Sequence, residues 1–183
     1  MAQRSAAAPG QLEVVRGFVN TRDLEAGTDA IATSTALADW LVGAGLLPPD
    51  EPVGPADVEA AGRLREALRE ALAANHDGRP LADEVVRALN DATRTAEISV
   101  AVTPSPGWAH RPAASGTAAA FGEILVVALQ AMSADTWRRL KVCVNDTCRW
   151  AFYDHSRARS GRWCSMGVCG NRAKQQAWRR RRS

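Results

Sequence analysis

All four cysteines of this chain fall within one short stretch near its C-terminus, in two pairs with the same spacing. Four residues separate Cys143 from Cys148, and four separate Cys164 from Cys169. Each pair can close a tight loop that points two thiolates at one ion, as in structural zinc sites. The spacing therefore predicts a tetrahedral Zn²⁺ site with these four cysteines as ligands.

Paired disulfides or free core cysteines are the alternatives to a metal site. Disulfide scaffolds belong mainly to secreted chains, and the first residues, MAQRSAAAPG, lack the apolar segment of a signal peptide. This favours zinc. His155 lies between the two pairs, but four thiolates already complete a structural coordination shell, so we do not expect it to be a ligand.

The region around the cysteines resembles a known zinc finger. The run RLKVCVNDTCRWAFYDHSRARSGRWCSMGVCGNRAK is similar to the CGNR zinc finger, a treble-clef-like module of bacterial transcription regulators named after the tetrapeptide at 169–172. The segment FVNT at 18–21 resembles a short signature of the helical ABATE domain that precedes this finger. The resemblance implies a DNA-binding finger, a body that senses a small molecule or mediates association, and a ligand pocket bordered by Asn20 and Thr21.

The charges of the chain are divided unequally between its two parts. Residues 136–183 carry thirteen basic and two acidic residues, whereas residues 1–135 carry ten basic and eighteen acidic ones. A basic tail on an acidic body suggests a polyanionic partner, with DNA as the first candidate and an anionic membrane surface as the rival. The tail lacks a broad apolar face, and no apolar run reaches the length of a membrane span, so we expect a soluble cytoplasmic protein.

Basic and amide side chains are concentrated in two segments: the loop between the two cysteine pairs, and the terminal helix. Because that helix begins near the second pair, the metal would fix its direction. Arginine and lysine contact phosphates, and arginine or glutamine can also read base edges in the major groove. A solvated face that only aids solubility is the alternative. The candidate DNA contacts are Arg157, Arg159, Arg162, Arg172, Lys174, Gln176 and Arg179.

The periodicity predicts a mainly α protein: a helical N-terminal domain with a small β-hairpin over 12–135, followed by a small zinc finger over 136–183. The segment 12–19 fits helix or strand. The clearest helix starts at Pro55 and exposes a charged face. The charged face of this helix consists of Arg63, Glu66, Arg69 and Glu70. Further predicted elements are a helix over 28–42 capped by Thr28 or Asp29, a helix after Pro80, a hairpin over 98–111 and a helix over 115–132.

The predicted function is that of a zinc-binding transcription regulator with DNA and a small-molecule effector as partners; a homodimer is also open. The alternative is a zinc-stabilised protein- or RNA-interaction module without sequence-specific DNA binding. We expect no enzymatic activity, because four cysteines leave no open coordination position and the histidines show no nucleophile–base spacing; they are His76, His110 and His155.

Overall fold

The computed structural model describes residues 5–104 and 107–181. Within these described ranges, five helices build the N-terminal body and a short helix follows in the C-terminal finger, so the predicted mainly α class is confirmed. The helices are α1 (Leu12–Val19), α2 (Ser34–Gly43), α3 (Pro55–Asp77), α4 (Asp83–Thr95), α5 (Gly116–Ser133) and α6 (Asn171–Arg180). The strands form three antiparallel pairs: β1 (Arg22–Asp23) with β2 (Thr28–Asp29), β3 (Ser99–Thr103) with β4 (Gly107–Arg111), and β5 (Leu140–Val142) with β6 (Ala151–Tyr153).

The core of the body lies between α1, α3 and α5. Phe18 on α1 is fully buried, and its ring centroid lies 6.3 Å from that of Phe121 on α5. Leu68 and Leu72 on α3 and Ile124 on α5 are buried in the same cluster. The segment 12–19, which fitted helix or strand, is therefore a helix whose apolar side faces two larger helices.

The longest helix, α3, begins and ends where the sequence predicts. Pro55 occupies its first turn, and the Asp57 carboxylate accepts a hydrogen bond of 2.7 Å from the Gly54 amide. Gly78 ends the helix in a left-handed conformation, with φ of 66°, that glycine adopts without steric cost.

The charged face of α3 differs from the prediction. Arg63 is exposed, but Arg69, which the sequence placed on a solvated face, is 1% exposed. The prediction was wrong for Arg69 because this side of α3 is covered by the end of α1 and by the finger. A buried guanidinium requires acceptors, and backbone carbonyls provide them, as described below.

The second helix starts later than predicted. Thr28 and Asp29 form β2, so neither caps a helix, and α2 begins at Ser34. Thr33 is its cap: the Thr33 hydroxyl accepts a hydrogen bond of 3.2 Å from the amide of Ala36. Asp29 is held instead by Arg65 of α3, through two hydrogen bonds of 2.7 and 2.8 Å. A tertiary ion pair thus overrode the local capping pattern.

The predicted hairpin and the last body helix are both present. The hairpin pairs Ser99 with Arg111 and Thr103 with Gly107, while positions 105 and 106 of its loop lie outside the described residues. Helix α5 meets the length and composition of a membrane span, which corrects the expectation that no apolar run would do so. Half of that span is buried inside the body, as in the core helix of a globular domain.

The first hairpin of the finger belongs to the core of the body. After a 3-10 turn at Trp137–Arg139, β5 and β6 pair in the register Leu140 to Tyr153 and Val142 to Ala151. Leu140, Val142 and Ala151 are buried in the same hydrophobic cluster as α1 and α3. The finger is therefore docked by its hairpin, while α6 extends away with no buried residue.

Candidate metal centre

The first cysteine pair lies in the loop that joins β5 to β6. The Cys143 amide donates to the Trp150 carbonyl at 2.9 Å, which closes the loop. Within it, the Cys148 amide donates to the Asn145 carbonyl at 2.9 Å, and the Asn145 side chain accepts from the Thr147 amide at 3.2 Å. These bonds turn both thiols toward the same side of the hairpin.

The second pair stands at the start of the terminal helix. Cys164 precedes a π-helical turn, Met166–Gly170, which contains Cys169 and continues directly into α6. A methyl group added at Gly170 would lie 2.9 Å from the sulfur of Met166, so the exposed Met166 side chain would have to move aside. The turn therefore fixes the direction of α6 relative to the Cys169 sulfur.

The four thiol sulfurs form one compact, buried cluster. All lie within 4.8 Å of one another, and the distances from Cys164 Sγ to Cys148 Sγ and to Cys169 Sγ are both 3.7 Å. Tetrahedral zinc with bonds of about 2.3 Å separates its sulfurs by about 3.8 Å, whereas a disulfide bond is about 2 Å long. The measured separations are too long for a disulfide bond and fit a metal site. Four thiol sulfurs are a donor set that suits zinc.

The ionisation of the thiols also fits a cation. Hydrogen bonds with the thiols of Cys148 and Cys164 hold the pKa of Cys143 below its usual range, while contacts with Cys143 and Cys148 raise the pKa of Cys164. In the cluster as a whole, charge on one thiol thus opposes the ionisation of another. A divalent cation at its centre would offset their charge and favour full deprotonation.

Aromatic side chains surround the sulfurs. Phe152 is buried in the cysteine cluster, and Trp150 and Trp163 pack against it. The Asn145 amide nitrogen lies 3.9 Å from Cys169 Sγ and can donate to it. Such a donor would partly neutralise the negative charge of a zinc–tetrathiolate centre.

A buried ion pair organises the loop between the cysteine pairs. Lys141 Nζ lies 2.9 Å from the Asp154 carboxylate, and both side chains are almost fully buried. Burial acts to raise the pKa of Asp154, but hydrogen bonds from Ser156, Lys141 and Gly161 outweigh it and hold the pKa below its usual range. Lys141 therefore contributes to the structure of the finger rather than to its exposed positive charge.

Gly161 fits this loop only because it lacks a side chain. A methyl group there would lie 2.8 Å from the Asp154 carboxylate. We expect Gly161→Ala to lower the free energy of unfolding by about 1–3 kcal/mol, since the carboxylate has to move off its partners. Urea unfolding of the zinc-loaded protein measures this. Gly167→Ala is the control, because a methyl group there would meet only the Ser165 hydroxyl, at 3.8 Å. Equal urea midpoints for the two variants would contradict the close contact between Gly161 and Asp154.

The structure exposes all seven candidate DNA contacts but does not place them on one surface. Arg162, Arg172 and Gln176 line a cleft of about 340 Å³ between the first cysteine loop and α6. Arg179 follows Arg172 by seven residues and shares its face of the helix, whereas Lys174 lies about 200° around the axis from Arg172. The remaining two, Arg157 and Arg159, stand on the loop between the cysteine pairs.

Asn20 and Thr21 make bonds within the chain. Asn20 Nδ2 donates to the Ala151 carbonyl at 2.9 Å, and Asn20 Oδ1 accepts from the Ala151 amide at 2.8 Å. The Thr21 hydroxyl donates to Phe18 O at 2.8 Å and accepts from Arg65 at 3.1 Å. Asn20 thus joins the body to the finger hairpin; a ligand-binding role for the pair stays a prediction.

Arg69 is the residue at this junction that sequence reasoning missed. Its guanidinium donates to Val19 O at 2.7 Å in the body and to Arg149 O at 2.9 Å in the finger, and Glu66 accepts from it at 3.0 Å. Arg149 directly follows Cys148 of the candidate metal site. Arg69 also follows Leu68 of the apolar stripe, and this edge position was the available signal that it lies near the core.

Comparison with protein families gives two matches along the chain. The ABATE domain, described as "Putative stress-induced transcription regulator", matches residues 13–139, and the CGNR zinc finger matches residues 139–182. A search of curated proteins finds no match. Since the first match spans most of the chain and the second covers the cysteine cluster, the chain belongs to the ABATE family of regulators that carry a C-terminal CGNR zinc finger.

Proposed function

We propose that this protein is a cytoplasmic transcription regulator whose zinc finger binds DNA and whose helical body senses a small molecule or mediates association. The observation that carries the proposal is the position of α6. None of its residues is buried, its last turn is basic, and its first turn continues from the π-helical turn that contains Cys169. A bound metal would hold this cationic helix in one orientation.

The exposed side chains have the chemistry that DNA recognition requires. Arginines on the loop and on α6 can pair with phosphates, which supplies affinity for any sequence. An α-helix fits the major groove, where glutamine can bond adenine and arginine can bond guanine. Gln176 and Arg179 are the candidates for base contacts. Zinc would supply folding free energy and fix the helix, and it would take no part in a reaction.

Helix α3 supports a sensory role for the body because it contacts both parts of the molecule. Its first half packs among the body helices, and its second half holds the finger. Glu70 pairs with Arg149 at 2.8 Å, and the Asn75 side chain donates to the carbonyls of Trp137 at 2.6 Å and Leu140 at 2.9 Å. A ligand that shifts α3 would therefore act on the finger directly.

The proposal predicts salt-dependent DNA binding. With about four to seven phosphate contacts, the slope of log affinity against log salt should be roughly −4 to −6. Arg157→Ala should weaken all duplexes equally and reduce the slope by about one, whereas Gln176→Ala should cost about 1–3 kcal/mol on a preferred site only. Duplexes selected from a random pool and titrated at several salt concentrations measure both effects.

Two outcomes of that experiment would change the conclusion. Absence of duplex binding by the zinc-loaded protein at low salt, where electrostatic attraction is strongest, would exclude DNA as the partner. Salt-dependent binding without a recovered consensus would favour the alternative, a protein- or RNA-interaction module. Lys174→Ala is the comparison for Gln176→Ala: Lys174 is a candidate phosphate contact on another face of α6, so its loss should weaken all duplexes equally, without a preference for the selected site.

Two of the candidate phosphate contacts are engaged by carboxylates of the body. Arg172 pairs with Glu25 in the turn between β1 and β2, and Arg159 pairs with Asp135 at 2.7 Å. DNA has to displace these carboxylates. We expect Glu25→Gln to raise affinity for all duplexes about two- to fivefold, the scale of an exposed ion pair. Glu59→Gln, an exposed carboxylate of α3, is the control; equal gains in both variants would attribute the change to net charge alone.

A further inference from the structure

The body contains a cleft of about 300 Å³ between α3, α4 and α5. Its floor includes Leu64, which is 2% exposed, and Phe121, which is 6% exposed. This size and an apolar floor are typical of small-molecule sites, which usually combine hydrophobic walls with a few polar groups. The cleft is distant in sequence from Asn20 and Thr21, which do not line it.

Small side chains create the cleft. Ala60 on α3, Ala88 and Ala92 on α4, and Ala118 on α5 line the walls where leucine or isoleucine would fill the space. Helix α4 buries only Val85, although its residues are strongly divided between an apolar and a polar side. Leu89 and Ala92 of α4 pack against the body core but stay only partly buried, so an apolar group could enter along the alanines.

The charged rim indicates what kind of group could accompany the apolar part. Arg87 on α4 makes no ion pair or hydrogen bond with any described residue, and Arg63 on α3 is held only by Glu59, at 3.7 Å in an exposed pair. On the acidic side, Asp91 already pairs with Arg94. Glu84 lies one turn before Arg87 and would repel a second negative charge.

We propose that this cleft binds a small aromatic monoanion, a carboxylate or sulfonate, whose ring lies on Leu64 and Phe121 and whose charged group pairs with Arg87. The site gives the sensory half of the proposed function a location and a ligand class, and in that sense it rests on the proposed function. The binding itself does not depend on DNA recognition, so the two can fail separately.

The position of the cleft also explains how occupancy could reach the finger. Leu64 in the cleft floor and Arg69 at the finger junction are five residues apart on α3, about 7.5 Å along the helix axis. A ligand that separates α3 from α4 acts on the same rigid helix whose side chains bond the carbonyls of Arg149 and Trp137 in the finger. Binding would then change how firmly the finger is held.

The test uses 8-anilinonaphthalene-1-sulfonate, a fluorescent aromatic monoanion, titrated into the full-length zinc-loaded protein. We expect saturable binding of one probe per chain. Ala92→Trp should weaken binding at least tenfold by filling the cleft, and Arg87→Gln should weaken it at least fivefold by removing the free cation. The neutral analogue N-phenyl-1-naphthylamine should bind at least tenfold more weakly than the sulfonate.

Two controls make the outcome decisive. Arg138→Gln removes an exposed charge outside the cleft and should leave binding unchanged. Trp108→Ser removes a side chain that is 74% exposed on the hairpin, the competing apolar site for this probe. Loss of the signal in Trp108→Ser, unchanged binding in Arg87→Gln, or equal binding of the neutral analogue would each overturn the proposal. Arg87 is exposed, so its variant serves even if Ala92→Trp does not fold.

Discussion

Replacing Cys164 by serine should remove the metal and unfold the finger. The protein as purified should carry one zinc per chain, and the variant close to none, because three thiolates and a hydroxyl bind zinc far more weakly than four thiolates do. Structural zinc supplies on the order of 10 kcal/mol or more of apparent folding free energy. The small cluster around Phe152, Trp150 and Trp163 cannot replace that contribution.

Elemental analysis and backbone amide NMR spectra measure the two parts of this result. Signals from the two cysteine loops and α6 should collapse, while those of α5 should persist, since the core around Phe18 and Ile124 does not depend on the cysteines. Ser165→Ala, beside the same ligand, is the control and should keep its zinc. A purified protein without metal, or a Cys164→Ser variant with native shifts in the cysteine region, would refute the metal site.

Arg69→Met should be the most destabilising change outside the cysteines, at about 3–5 kcal/mol. Methionine keeps much of the buried apolar volume but donates no hydrogen bond. The carbonyls of Val19 and Arg149 then lose a donor in a site that excludes water, and each unsatisfied group costs about 1–3 kcal/mol. Urea unfolding at neutral pH measures the loss.

Arg63→Met provides the matched comparison, because it removes the same guanidinium from the exposed side of the same helix. Its one ion pair, with Glu59, is long and solvated, so the expected change is close to zero. Equal destabilisation by the two variants would contradict the assignment of Arg69 as the link between body and finger. Arg69→Met should also weaken DNA binding while zinc remains bound, since the finger loses one of its attachments to α3.

The prediction from sequence was accurate where a local pattern carries its own physical cause. The two cysteine pairs identify the metal site because ligand spacing is a property of short loops. The apolar period of α3, its proline at the start and its glycine at the end give the helix its limits. Strand alternation likewise gave the hairpin from Ser99 to Arg111.

Local patterns failed where a distant partner decided the outcome. Thr28 and Asp29 have the side chains of helix caps, but Asp29 binds Arg65, which lies 36 positions away. Asn20 does cap the end of α1, as its residue type indicates, but its side-chain amide also bonds both backbone groups of Ala151, 131 positions away. Neither separation leaves a periodic signal that could indicate the pairing.

The sequence by itself determined the two cysteine pairs of the candidate metal site, the main helices and the cationic character of the C-terminal helix, because spacing, periodicity and charge are local properties. Only the tertiary structure decided which charges remain available. It buried Arg69 and Lys141, engaged Arg159 and Arg172 with body carboxylates, and left Arg87 beside a cleft with no ion pair to any residue that the structure describes. The reason is that burial and pairing depend on which surfaces meet when the body and finger pack, and a guanidinium on a helix has the same local sequence whether it faces water or a backbone carbonyl.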